Sequence, residues 1–203
     1  MKPITLILCV VLVASCQSKK EEKPSQKVVA AKPVPPPVLK VADDGKPIRY
    51  PEPLPDSVKA RKFQDGYDSI NSLIFAVLDA LEKKDTTRLV RAMISQKEFS
   101  NWLWWEFPAS IPENAPLDFA WDNLARKADR GLRWLLSDYG GQKLRYVSHR
   151  FEEGEDKYQT FKVHSKTRVV VKDSLGNEHT LTQIGSVVEM NGSFKLMSYR
   201  DRD

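Results

Sequence analysis

The sequence predicts an α+β domain, with N-terminal helices packed on an antiparallel curved sheet of four or more strands, a cone-like roll. Three observations carry this. Apolar residues recur every three to four positions from Phe63 to Tyr139, then alternate strictly after Gly140-Gly141. The pair Asn191-Gly192 joins two apolar runs, the pattern of a two-residue hairpin turn. Helices followed by a strand meander give a helical layer against one sheet face.

The elements follow in order. Phe63, Tyr67, Ile70, Ile74, Val77 and Leu81 fall on one stripe of a long amphipathic helix. Lys83, Lys84 and Asp85 interrupt it, and Asp85 can cap a short helix bearing Leu89, Val90, Met93 and Ile94. Ser95 and Glu98 form a capping box for a third helix, which runs to Phe107 and stops at Pro108. At about 100° per residue, Trp102 and Trp105 share the core side of that helix with Phe99. Trp104 points away, either covered by the loop PASIPENAP or exposed to a partner. A fourth helix spans Asp118 to Tyr139, with Trp121, Leu124, Ala128, Leu132, Leu135 and Tyr139 on one face. Gly131 beside that stripe permits close packing, and Gly140 is the expected left-handed cap. Trp134 projects instead among Arg126, Lys127 and Arg130, where stacking on the cations or contact with a neighbouring element can hold it.

LRYVSHRF reads as a first strand and YQTFKVHSKTRVVVKD as a long second one. Phe161, Val163, Val169 and Val171 face one side of it, and Lys162, His164, Lys166, Arg168 and Lys172 the other. HTLTQIGSVVEM and SFKLMSYRD then pair across Asn191-Gly192, with Val187 opposite Leu196 and Phe194 beside them. Val188, Met197 and Tyr199 land on the opposite face. Both faces of the hairpin are thus apolar, so loops or another subunit must cover the second one, and a homodimer through the sheet is one solution.

Before the domain the chain has a different composition. Lys2 precedes a short apolar run, ILCVVLVAS, of signal-peptide length and too short to span a bilayer. Residues 1–15 are the expected signal peptide and 16–55 a Pro/Lys-rich tether, leaving 56–203 as the folded domain. Nine of the thirteen prolines fall between Pro24 and Pro55, a composition that buries no core and favours extended polyproline II. The formal charge of +5 belongs mostly to this leader and tether. Residues 56–203 hold 23 basic against 22 acidic side chains, so the domain carries no general electrostatic footprint for nucleic acid.

VASC, ending at Cys16, resembles a bacterial lipobox; an ordinary signal peptide with an incidental cysteine is the other reading. The resemblance implies cleavage before Cys16, lipidation of its thiol and anchoring to the outer membrane, facing the periplasm or the cell surface. Multiple acyl chains would hold the protein firmly. Gln17 stands where an aspartate would suggest inner-membrane retention, and QSKKEEK resembles the charged surface-export signals of Bacteroidota lipoproteins. With Cys9 lost in the leader, the mature fold would have neither disulfide nor thiolate.

LDALEKKDTTRLVRAMIS and the closing GSVVEMNGSFKLMSYRD resemble the nuclear transport factor 2 (cystatin-like) superfamily. WEFPASIP, FAW, YGG and SYRD are similar to elements of a group of uncharacterised bacterial lipoproteins. The superfamily hosts isomerases, dehydratases and pure binding modules alike. Its enzymes place an aspartate, a tyrosine or a His/Asp pair inside the cone. His149, on a face with Val147 and Phe151, is the one weak catalytic candidate. His164 and His179 read as solvated.

No dense metal-ligand spacing, GxSxG or phosphate loop is present, and no cofactor is expected. Trp104, Trp134 and the row Lys162, Lys166 and Arg168 remain as candidates for a partner or an anionic glycan. The reading that results is a lipid-anchored envelope protein with a non-catalytic domain that binds an envelope protein, glycan or small ligand. The alternative is an isomerase- or dehydratase-like enzyme using a pocket inside the cone.

Overall fold

The computed structural model describes residues 53–110 and 115–202, together with the backbone of Lys40–Val41 (β1) and Pro47–Ile48 (β2), which pair antiparallel within the predicted tether. The signal segment, Cys16 and the rest of the tether lie outside the described residues. Contacts group residues 36–203 into one unit of their own. Among the described residues, no helix is long and apolar enough to cross a membrane.

A short α1 (Asp56–Lys59) leads to α2 (Ile70–Glu82). The latter begins at Ile70, not Phe63. Asp65 adopts a positive φ of 55°, and Ser69 then caps the helix in a reciprocal box with Ser72. Tyr67 leaves the predicted stripe and pairs with Phe194 through two backbone hydrogen bonds of 3.0 and 2.8 Å. Helix α3 (Thr86–Arg91) starts where Asp85 accepts from the Arg88 amide, and α4 (Gln96–Glu98) where Ser95 and Glu98 close their box.

From α4 the coil widens into a π turn over Phe99–Leu103, then tightens to 3-10 over Trp104–Glu106. A second 3-10 turn covers Pro108–Ser110. Helix α5 runs Leu117–Tyr139. Gly140 is extended at its end, and Gly141, at φ 85°, takes the left-handed conformation expected one residue earlier.

Two antiparallel sheets follow. Strands β3 (Arg145–Phe151), β6 (Thr167–Lys172) and β7 (Glu178–Leu181) form one, in the order β3-β6-β7. The other has the order β4-β5-β8-β9, from β4 (Glu155–Lys157), β5 (Lys162–His164), β8 (Val187–Met190) and β9 (Ser193–Leu196). The predicted long second strand is therefore split into β5 and β6. Lys166 at φ 51° breaks it, opposite Gly154 at φ 78°, and hydrogen bonds Glu152 N to Lys166 O and Ser165 N to Gly154 O carry the ribbon across the bend. HTLTQIGSVVEM divides in the same way into β7 and β8. Each run feeds both sheets.

The closing hairpin has the expected register, Val187 opposite Leu196. Asn191 and Gly192, at φ 49° and 70°, form the turn that twisted strands require. Its two faces belong to two cores of the same chain. Val187 and Leu196 pack with α2, α3 and the C-terminal half of α5. Val188 and Met190 pack with Phe63, Phe99, Leu103 and Trp104, joined by Phe161 and Val163. The apolar second face that suggested a homodimer is covered from within the chain.

Tyr199 differs from expectation. Predicted beside Val188 and Met197, it lies fully buried in the first core, and its hydroxyl donates to the Leu89 carbonyl at 2.9 Å. The β9 ladder ends at Leu196, and Tyr199 bridges Ile184 instead, which resets the alternation. The free edge of β9 is closed by Tyr67 and by Ala92–Ile94, through Leu196 N to Ala92 O and Ile94 N to Leu196 O.

Candidate functional site

The C-terminal half of α5 is pinned. Leu132 and Leu135 sit in the first core, and the C-terminal segment crosses the helix at Gly131. The N-terminal half packs on the second core through Leu117, Ala120, Trp121 and Leu124, and the small Ala125 and Ala128 lie beside that face. A cleft of about 530 Å³ results between α5 and the stretch Val90–Glu98, with Lys195 and Met197 on its floor. A second hollow of about 610 Å³ lies farther along, walled by Phe99, Trp104, Phe107 and Phe119. Leu124 and Met197 line both. The two lie on opposite flanks of α5, with Leu124 and Met197, packed on the second core, between them; the cleft alone is of a size suited to a small organic ligand.

The cleft's buried polar lining is the pair Glu98–Lys195. Both residues are 4% exposed, and the ammonium lies 3.3 and 3.2 Å from the two carboxylate oxygens. Glu98 also accepts from Ser95 N at 2.7 Å, Ser95 Oγ at 2.8 Å and Gln64 N at 3.0 Å. The capping box read from sequence thus holds a buried carboxylate as well as starting a helix. Lys195 was passed over, although its parity was legible. It stands opposite Val188 on the apolar second face, and a lysine there needs a buried acid.

Other acids and histidines serve as pins. Glu106, 3% exposed, accepts from Thr160 N and Thr160 Oγ1, tying the tryptophan turn to the loop before β5. His164 is not solvated as expected; it is 8% exposed, because the bend at Lys166 turns it under Phe151, whose ring stacks on it at 4.8 Å. Its Nε2 lies 3.0 Å from Glu189 and its Nδ1 3.6 Å from Glu155. These are the groups best able to gather a divalent cation, with one ligand atom from each lying within 4.8 Å of the others. Each ring nitrogen faces a different acid, however, so a cation would have to displace one of those contacts. His179, half-buried, hydrogen-bonds to Asp173 at 2.9 Å and thereby holds that carboxyl below its usual range.

His149, the weak catalytic candidate, is half-buried as expected. Its Nδ1 is 2.7 Å from the Tyr146 hydroxyl. Burial, and secondarily His164, hold its imidazole below the ordinary value of 6.5. Among the described residues no carboxylate hydrogen-bonds to it, and it lines neither the cleft nor the hollow.

The partner candidates are redistributed. Trp104 is buried, 4% exposed, against Phe99 at 5.7 Å, while Trp102 and Trp105 are half-buried. The π and 3-10 turns change the angular step, so the face computed for an α-helix no longer holds. Trp134 is 40% exposed, but the cation over its ring is Arg202, at 4.0 Å, and its indole NH donates to Asp201. The row on the second strand is paired with acids: Lys162 with Glu189, Lys166 with Glu153 and Arg168 with Glu152. A sheet face so neutralised offers an anionic glycan little net attraction. In comparisons with protein-family models, curated proteins and solved structures, no match to the chain was found.

Proposed function

We propose that this chain is a lipid-anchored bacterial envelope protein whose α+β domain binds a ligand in the cleft between α5 and the stretch Val90–Glu98 without carrying out chemistry on it. The observation that carries the binding reading is the cleft itself, a mostly apolar space with the buried Glu98–Lys195 ion pair in its lining. Ligand sites are commonly of this form, mostly apolar with a few fixed polar groups. Glu98 and Lys195 hydrogen-bond one another and Glu98 is further held by the Ser95 box, an arrangement that orients a guest. The nuclear-transport-factor-2-like resemblance, which includes pure binding modules, is consistent with this.

The anchor reading rests on VASC at residues 13–16 and on the tether composition. Expressed in a Gram-negative host, the full chain should fractionate with outer membranes and take up labelled palmitate. Cys16→Ser should abolish labelling and block processing. Palmitate-free, soluble wild-type protein would remove the anchor. For the binding half, the chain from residue 17 should take up the neutral fluorophore N-phenyl-1-naphthylamine with 1:1 stoichiometry. Leu124→Trp, which narrows the cleft, should reduce that uptake at least tenfold. Uptake unchanged by the substitution would place the probe elsewhere and remove the cleft as the site.

A further inference from the structure

We propose that the ligand of this cleft is a compact, uncharged aromatic compound that presents a carbonyl oxygen to Lys195. This rests on the binding reading above and names the class of ligand.

The buried pair is complete on one side only. Glu98 is fully engaged: its Oε1 accepts from Gln64 N and Lys195, and its Oε2 from Ser95 N, Ser95 Oγ and Lys195. Lys195 is not. An ammonium carries three N–H donors, and its only acceptors among the described residues are the two Glu98 oxygens, 3.3 and 3.2 Å away. The third donor is left over on a side chain that is 4% exposed and lines the cleft. A buried donor without an acceptor is costly. The carbonyl oxygen of a guest supplies one.

Charge narrows the choice. A carboxylate brought to that N–H would also stand beside Glu98, and the cleft already sets Asp65 and Asp129 against Arg91. An ammonium guest would meet Lys195 itself. A neutral carbonyl incurs neither repulsion, so it is selected over both charged heads.

The walls set the body. The cleft, about 530 Å³, follows α5 only from Trp121 to Leu132, about 16 Å at 1.5 Å per residue. Leu124 and Met197, packed on the second core, close it on the side of the hollow. Such a space suits one or two rings. Trp121, Met93 and Met197 line it, and an indole face and two thioethers favour an aromatic guest over an aliphatic one.

The test uses the chain from residue 17, which contains the whole of the self-contained unit 36–203. Titration calorimetry would compare four compounds that share one body: indole-3-acetamide, indole-3-acetate, tryptamine and 3-ethylindole. The amide should bind 1:1 and at least about tenfold tighter than the acid, the amine or 3-ethylindole, which has no acceptor. Ala125→Leu, which fills the cleft, should weaken the amide by a similar factor, with the circular dichroism spectrum unchanged as a check that the variant is folded. In Glu98→Gln/Lys195→Met the advantage of the amide over 3-ethylindole should fall to less than about threefold. Equal or tighter binding of the acid, the amine or 3-ethylindole overturns the inference, as does an amide affinity unchanged by Ala125→Leu or an advantage that survives the double substitution in full. If N-phenyl-1-naphthylamine binds but indole-3-acetamide does not displace it, the inference fails while the binding reading stands. If neither binds, both fail.

Discussion

A β-carbon on Gly131 would stand 2.5 Å from the backbone carbonyl of Arg200. The C-terminal segment crosses α5 at this point in backbone contact, clamped on either side by Arg130 to Asp201 and by Arg202 to Asp138. Gly131→Ala gains about 1 kcal/mol of helix propensity but must push backbone away, and overpacking of this kind destabilises by about 1–3 kcal/mol. The neighbour is main chain, so the larger figure applies, and the urea midpoint should fall. A midpoint equal to or above wild type would show that the tail is free to move.

Tyr199 and Leu89 join the far end of the chain to α3. The hydroxyl is wholly buried, its proton held well above the ordinary tyrosine range by desolvation, and it donates to the Leu89 carbonyl at 2.9 Å. Tyr199→Phe keeps the ring and leaves that carbonyl unsatisfied, at a cost of about 1–3 kcal/mol. Thermal denaturation should show a lower Tm with an unchanged near-ultraviolet spectrum. An unaltered Tm would mean that the carbonyl finds another donor.

Much of this was legible from residue types alone, and where it was not the reason is local geometry. Asp85, Ser95 and Asn191-Gly192 announce their caps and turn because each chemistry is complete within four residues. The start of α2 was misread because Phe63 and Tyr67 keep helical spacing while Asp65 and Gly66 turn the chain. Trp104 and His164 were misplaced by departures from ideal repeats, a π turn in one case and a positive φ at Lys166 in the other. Neither leaves a compositional mark. The cleft was not legible at all, since empty space depends on how α5 seats beside the stretch Val90–Glu98.

The buried pair makes a coupling prediction. Lys195→Met leaves the Glu98 carboxylate buried without its cation, and breaking one side of such a pair typically costs about 3–5 kcal/mol. Glu98→Gln/Lys195→Met removes the stranded charge and should recover part of that loss. A double-mutant cycle in urea should then return a coupling of at least about 1.5 kcal/mol. Strict additivity would mean that the charges do not interact.

His149 supplies the pH dependence. Its imidazole is held below 6.5 by burial first and by His164 second, so the folded chain binds fewer protons than the unfolded one around pH 6. Stability from this group is complete above the unfolded value and is lost as pH falls through 6.5 and on through the folded value. The depressed carboxyls of Asp79, Asp173 and Asp201 act only below about pH 4, so between pH 7 and pH 5 the His149 contribution is read as the difference between wild type and a variant without it. Wild-type protein should lose stability across that range, and His149→Gln, which cannot be protonated, should lose less. Parallel curves for the two proteins would show that His149 titrates alike in the folded and unfolded chain, and that the side chain is more open to water than its place between Tyr146 and Phe151 implies.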